Sequence, residues 1–418
     1  VISAVDFGLS RGNSAGMMRW VLGLVLALCA GLGAARGQEL SALARLDPQA
    51  SSIAEAGQGV ALSLSLSQPV PWRVRVLDDP PRLILDVREV DWTGIDRVPR
   101  TTPRVVDLRA GVFRRGWSRL VLELDGPYLV DQAEMRTSDG AARLVVQLAP
   151  AEAGAFAARA ALPEPPDWAP PRVADLPKPE RRGDGPVVVV LDPGHGGIDP
   201  GAERGGLTES DLMLTFSREL KESLVRAGGF TVVLTRGEDV FVPLETRISI
   251  ARAAGASVFL SLHADVLAEG EAVGATIYTL AEDASDSAAA TLAERHDRDD
   301  LLSGVDLTGQ DDLVAQVLMD MARTETMPRT QLLADTLRRA MEAEGIVMHR
   351  IPLQQAAFSV LKSPEVPSVL IELGFMSSPG DLARLRDPAW RARMAQAITR
   401  GIREWVVQDA AQMQLRRQ

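Results

Sequence analysis

The chain has 418 residues, a formal net charge of -11 and a pI near 5.1. Its 46% hydrophobic content can bury more than one core, and at roughly 100–200 residues per domain the length implies two or three domains. The acidic balance excludes the basic face of a nucleic-acid-binding protein, and a single cysteine, Cys29, excludes a disulfide scaffold.

Near the start, Met17, Met18 and Arg19 precede the apolar run Val21 to Leu32. That is a positive n-region followed by an h-region, shorter than the roughly 20 helical residues that cross a bilayer. Ala35-Arg36-Gly37 offers a cleavage site before Gln38, and Met17 is the expected true start. Residues 1–37 are therefore expected to be upstream sequence and an export signal, which leaves no transmembrane anchor once removed. Cys29 falls inside that signal and follows the bulky Leu28, which disfavours lipid attachment. The rival, a buried core helix, has no partner element before it.

Over 38–150 short runs such as VALSLSLS, WRVRVL, RLILDV, RLVLELD and RLVVQLA alternate apolar and polar residues between Gly, Pro and Asp clusters. This pattern predicts a small all-β antiparallel sandwich with one face of each sheet solvated. No catalytic pair stands out in it, so a binding module is expected. Residues 151–185 are rich in Ala, Pro and charge, as expected of an extended linker.

From Pro186 the pattern changes to apolar runs alternating with helical periodicity: VVVVLD, a helix over 208–227, FTVVLT, a helix over 243–254, SVFLSLH, ATIYTL, a helix over 330–344, SVLIELG and a helix over 388–407. The fold class is α/β over 186–408, a mixed, mostly parallel sheet flanked by helices. Two Ala- and Asp-rich helical stretches over 282–329 interrupt it as an insertion, and 409–418 is a C-terminal tail.

Four residues in this half carry chemistry. His195 lies in the glycine-lined turn LDPGHGGIDPGA directly after the run 187–191, and His263 ends VFLSLHAD. Active sites of such sheets gather at those carboxyl ends. Glu209 falls in the first turn of a helix capped by Thr208 and Asp211, and Glu372 lies inside SVLIELGF. Two imidazoles and a carboxylate suit a catalytic zinc, which takes three protein ligands and keeps one position open; His195, Glu209 and His263 form the set. Glu372 is the proton acceptor and donor, because a glutamate in an apolar strand without a duty costs several kcal/mol. The rival is an ion pair with Arg247, which is also the residue expected to stand behind the metal site. His296, beside Asp297 in the charged insertion, and His349, before a Pro-containing turn, are set aside as solvated or structural.

The motifs LDPGHGGIDPGA, LTESDLML, LETRISIARAAGASVFLSLHAD and FSVLKSPEVPSVLIELGFMSS, in this order over about 186–407, resemble the zinc-dependent N-acetylmuramoyl-L-alanine amidases of the type 3 catalytic family. The resemblance implies that His195, Glu209 and His263 bind zinc, that Glu372 is catalytic, and that the substrate is the amide between N-acetylmuramic acid and L-alanine in peptidoglycan. It fits export to the periplasm. The segment PPRLILDV resembles the AMIN module that precedes such domains and targets them to the envelope. Asp265 stands where many relatives carry asparagine. The stretch 285–311 resembles the insertion that lies across the zinc site in division-associated members; a helix glutamate, Glu294 here, would plug the open position until an envelope partner with a degenerate LytM-type domain removes it. A zinc peptidase acting on the stem peptide and a catalytically silent wall-binding scaffold are the alternatives.

Overall fold

A computed structural model describes residues 43–114, 116–138, 141–163, 185–266, 272–281, 283–302 and 313–416. The expected export signal, with Cys29, and most of the expected linker lie outside these residues.

Nine strands run through the first half: β1 (Ala44–Ala56), β2 (Gly59–Leu66), β3 (Trp72–Leu77), β4 (Arg82–Arg88), β5 (Val90–Asp91), β6 (Val105–Arg114), β7 (Trp117–Leu124), β8 (Tyr128–Ser138) and β9 (Ala141–Pro150). They form a five-stranded sheet in the order β5-β1-β2-β9-β8 and a four-stranded sheet in the order β3-β4-β7-β6. Alternation places Leu62, Leu64, Leu144 and Val146 of the first sheet against Leu83, Leu85, Leu120 and Leu122 of the second, which is the sandwich core.

The expectation that each sheet has one wet face fails for the second sheet. Every residue from Arg82 to Val87 and from Ser118 to Leu122 is buried. The outward side chains of Leu77, Ile84 and Val121 pack on Ile198 and Phe241 from the second half of the chain, and burying each aliphatic side chain contributes about 1.5–3 kcal/mol. Beside them Asp86 accepts from Arg119 Nε at 2.7 Å and Nη2 at 3.1 Å, and both residues are buried. The first part of the expected linker is also ordered: α1 (Ala153–Ala160) buries Phe156 in the sandwich core.

The second half contains β10 (Val187–Pro193), the short hairpin β11 (Glu203–Arg204) and β12 (Leu207–Thr208), α2 (Glu209–Ala227), β13 (Phe230–Leu234), α3 (Leu244–Ala253), β14 (Val258–His263), β15 (Ala275–Leu280), α4 (Ser287–Leu302), α5 (Leu313–Ala343), β16 (Met348–Ala356), β17 (Ser368–Glu372), α6 (Pro379–Arg386) and α7 (Pro388–Arg416). Its six-stranded sheet has the order β13-β10-β14-β17-β15-β16. All neighbours are parallel except β15 with β17. Successive residues of β10 feed opposite cores. Val189 and Leu191 meet Phe216 and Leu220 of α2, Leu337 of α5 and Ile398 of α7, whereas Val190 meets Ala251 of α3 and Leu292 of α4. Helices thus cover both faces, as an apolar parallel sheet requires.

Two boundaries differ from expectation. The expected boundary between the insertion, ending at 329, and the helix over 330–344 is absent, because α5 begins at Leu313 and runs through Pro328. The expected tail is helical too, since α7 continues to Arg416. After β10 the chain places β13 on one side and β14 on the other. That reversal opens a crevice beyond the carboxyl ends of β10 and β14, the standard location for a ligand in a wound sheet.

Candidate metal centre

His195, Glu209, His263 and Glu372 converge at that crevice. His263 is the last residue of β14 and stands in register with Glu372, the last residue of β17. Thr208 caps α2 by accepting from the Asp211 amide at 3.3 Å, so the next residue, Glu209, begins the helix beside the loop after β10. His195 sits in that loop with φ +57°, a left-handed conformation that a non-glycine residue adopts at a cost of about 1–3 kcal/mol. A side chain at Gly194 would place its Cβ 2.3 Å from the His263 ring, so only glycine lets the two imidazoles approach.

Glu209 Oε1 lies 3.1 Å from His263 Nδ1 and 3.3 Å from His195 Nε2. Ligand atoms about 2.1 Å from one tetrahedral ion stand about 3.4 Å apart, so both separations from Glu209 Oε1 match those of a shared coordination sphere. The Asp199 carboxylate holds His195 Nδ1 at 2.7 Å, which leaves Nε2 facing Glu209. There it is buried without a hydrogen bond of acceptable geometry. An imidazole oriented by a carboxylate through its second nitrogen is the usual support of a metal ligand. The residues present therefore fit a divalent cation.

The electrostatics agree. Burial opposes charge on His195, but Asp199 and Glu209 override it and hold its pKa well above the ordinary histidine value. Burial, then the neighbouring His296, pushes His263 down to about 4, so it stays neutral and able to donate a lone pair. Glu209 is held well below the carboxylate range: burial works against the charge, and His195 and His263 overcome it. Asp199 falls to about 2, with burial outweighed by His195, a backbone amide and Arg109 of β6. The two carboxylates that favour a proton on His195 would favour a cation in its place, which binds only once that proton has left Nε2.

Glu372 is different. Its Oε2 accepts from the Asp265 amide at 3.0 Å, while Oε1 is buried with no partner. Burial, together with Glu209 and Asp265, drives its pKa well above the ordinary value, the condition of a group that accepts and returns a proton.

Arg247 does not pair with Glu372. Its guanidinium bonds the Asp192 carboxylate and the carbonyls of Pro193 and His195, each at 2.9 Å. It therefore stands behind the site by fixing the backbone of the His195 loop. Asp192, in turn, accepts from Thr235 at 2.6 Å and Ser261 at 2.7 Å.

The insertion corrects the sequence reading in one respect. Glu294 is exposed on α4, and the residue that faces the site is His296, which is buried. Two residues along a helix turn a side chain by about 200°, so the two cannot face the same way. The ligand-type atoms of His195, His263 and His296 lie within 4.8 Å of one another, and the His296 ring stacks on His263 with centroids 4.3 Å apart. Asp265 anchors this face of α4: its carboxylate lies 3.0 Å from Arg295 Nη1 and 3.3 Å from His296 Nε2. The signal available in the sequence was its position within the apolar stripe of Ala289, Leu292 and Ala293, which makes it a core-facing residue; its charged neighbours masked that. His349 remains outside the cluster and contacts the Ile351 carbonyl at 3.1 Å.

Among the described residues no helix is long and apolar enough to cross a membrane. The chain is 40% identical over 228 residues to the N-acetylmuramoyl-L-alanine amidase AmiA of Escherichia coli, covering 54% of this chain and 78% of that one. It is 32% identical over 373 residues to the amidase AmiC of Neisseria meningitidis serogroup B, covering 82% and 86%. A solved N-acetylmuramoyl-L-alanine amidase from Clostridium difficile 630 aligns over 54% of this chain and 98% of that one, at 20% identity and a TM-score of 0.40. Residues 189–404 match the amidase family as a whole, and with the long alignment to AmiC this establishes that the chain belongs to the type 3 N-acetylmuramoyl-L-alanine amidases.

Proposed function

We propose that the protein is a zinc-dependent peptidoglycan amidase of the periplasm, held inactive by its own insertion until an envelope partner releases it. The observation that carries the catalytic part is the placement of Glu209 Oε1 within 3.3 Å of both imidazoles, beside a buried glutamate with a free oxygen.

His195, Glu209 and His263 would hold the ion. Bound there, zinc supplies Lewis acidity, polarising the amide carbonyl and making water acidic enough to attack near neutral pH. Glu372 takes the proton of the attacking water and returns it to the L-alanine nitrogen as the bond to the lactyl carbonyl breaks. Asp199 keeps the His195 tautomer, and Arg247 fixes the loop beneath it.

His296 takes the role first assigned to Glu294. Its ring centroid lies 5.6 Å from that of His195 and 4.3 Å from that of His263, and Asp192, Asp199, Phe241, Leu244 and Arg247 line the same cavity. An imidazole seated against the metal position excludes water and substrate. The energy that moves α4 aside has to come from a partner that binds the released form more tightly, and the likeness of 285–311 to the insertion of partner-activated relatives points to a LytM-domain protein.

Metal analysis and mass spectrometry of digested wall fragments test both halves. One zinc per chain and release of intact stem peptides from the glycan are expected; shortened peptides would instead identify a peptidase. His296→Ala is expected to raise basal hydrolysis about tenfold or more, and an unchanged basal rate would remove the inhibitory role of α4.

A further inference from the structure

The outer face of the four-stranded sheet is not free surface; it is packed against the loop that carries His195. Strand β6 is the edge of that sheet, so one side of its backbone has no strand partner. The Val112 carbonyl on that edge accepts from the Ile198 amide at 3.0 Å. Phe113 stacks on Phe241 with centroids 5.9 Å apart and planes 22° apart, and the Arg119 guanidinium carbon lies 3.4 Å from the Phe113 ring centroid. Gly111 approaches so closely that a Cβ there would come within 2.6 Å of Ile198 Cα and 2.8 Å of the Gly197 carbonyl.

Ile198 precedes Asp199, whose carboxylate orients His195 at 2.7 Å. His195 itself sits at φ +57°, a conformation that persists only where its surroundings hold it. On the other side Gly197 donates to Asp239 at 2.8 Å. The loop is thus clamped between the second half's own 236–241 segment and an edge strand of the sheet domain.

We infer that the sheet domain acts as a positioning element of the metal centre, with Gly111, Val112 and Phe113 of β6 holding the His195–Asp199 turn in its ligand-bearing conformation. This rests on the reading of His195 as a metal ligand. It gives the sheet domain a role in the reaction besides any in holding the wall. Whatever the domain binds on its remaining surface could then alter the metal centre through β6.

The full chain carrying Gly111→Ala or Phe113→Ala tests this. Gly111 faces the second half, so the added methyl disturbs the contact and leaves the sandwich core intact; Phe113→Ala loosens the same contact without a clash. Four quantities are read: hydrogen exchange at the Ile198 amide, the rate of zinc loss to excess chelator, and kcat and KM on purified wall. Both variants are expected to exchange faster at Ile198 and to lose zinc about tenfold faster, the effect typical of disturbing a group behind a metal ligand, with kcat reduced more than KM is raised. Faster exchange with unchanged zinc loss would overturn the inference, as would a rise in KM alone, which is the signature of a domain that only holds wall. Zinc-free wild-type protein would instead show that the metal reading beneath it had failed, before any variant is compared.

Discussion

At the scale of single residues, Glu372 carries opposing demands of stability and chemistry. Burial raises its pKa in the folded chain, so its contribution to stability is fully present below the unfolded value near 4.3 and is lost as pH rises through the folded value. Glu372→Gln removes a charge that the fold disfavours and a proton carrier that the reaction needs. In chelator-treated protein the variant is expected to melt with the wild type at pH 4 and above it at pH 8, by on the order of 1 kcal/mol. Its hydrolysis of wall should fall by about two to four orders of magnitude. A melting difference that stays constant with pH would show that burial of the carboxylate is not its cause. The Asp265 charge raises the same pKa, while its amide, 3.0 Å from Glu372 Oε2, lowers it, so Asp265→Asn should move the acid limb of the pH–rate profile to lower pH. The four principal site residues were legible in the sequence because each lies at an element end with a stated local reason: a glycine turn, a helix cap, a strand end. The orientation of Glu294 and His296 was not. Both sit in one charged helix, and the choice between them depends on helical phase against a surface that the sequence does not display.

At the scale of elements, strands with strong period-two alternation and helices with apolar stripes were readable, whereas elements set by tertiary contacts were not. Strand β16, MHRIPLQQA, has no apolar run and contains Pro352; it survives as the edge of its sheet, where a missing amide donor is tolerated, and its register against β15 shifts between Ala275 and Ile277. Helix α5 passes Pro328 because its stripe of Leu333, Leu337 and Met341 is anchored in the main core, and because Arg329 beside the proline pairs with Asp409 of α7 at 2.8 Å. Helix α4 is tied by Arg295, which bonds the Val266 carbonyl at 2.7 Å and Asp265 at 3.0 Å while remaining 41% exposed, and by Asp297, which accepts from the Ser359 amide at 3.2 Å and hydroxyl at 2.8 Å. The partly exposed Arg295 pair is worth about 1 kcal/mol or less, so on the proposed reading its loss loosens α4 without unseating it. Arg295→Ala is therefore expected to raise basal wall hydrolysis about threefold to fivefold, with zinc content unchanged. A fall in zinc content or in rate would mean that the pair supports the site rather than the closure of α4.

At the scale of the whole molecule, two cores built by different rules share one small contact. The sandwich core contains no residue of the sheet that bears the metal centre, and the two cores of the second half contain none from the sandwich. Among the described residues, the buried cluster that spans both is that of Leu77, Ile84, Val121, Ile198 and Phe241. Cores so separated are expected to unfold in two transitions, since a joint this small cannot impose two-state behaviour on both halves. On the proposed reading, zinc binds one of them. At a free concentration 100 times its Kd it stabilises the half that holds it by about 2.7 kcal/mol, which for a domain of this size moves the midpoint by about 5–11 °C. Calorimetry of the full chain with added zinc and with chelator should then show one transition moving by that amount and the sandwich transition moving by no more than the joint transmits. Because β6 touches the His195 loop, that transmitted shift should be measurable in the wild type and absent in Gly111→Ala. A single transition at every zinc concentration would mean that the joint fuses the two halves into one cooperative unit, and the independence of the cores would have to be given up.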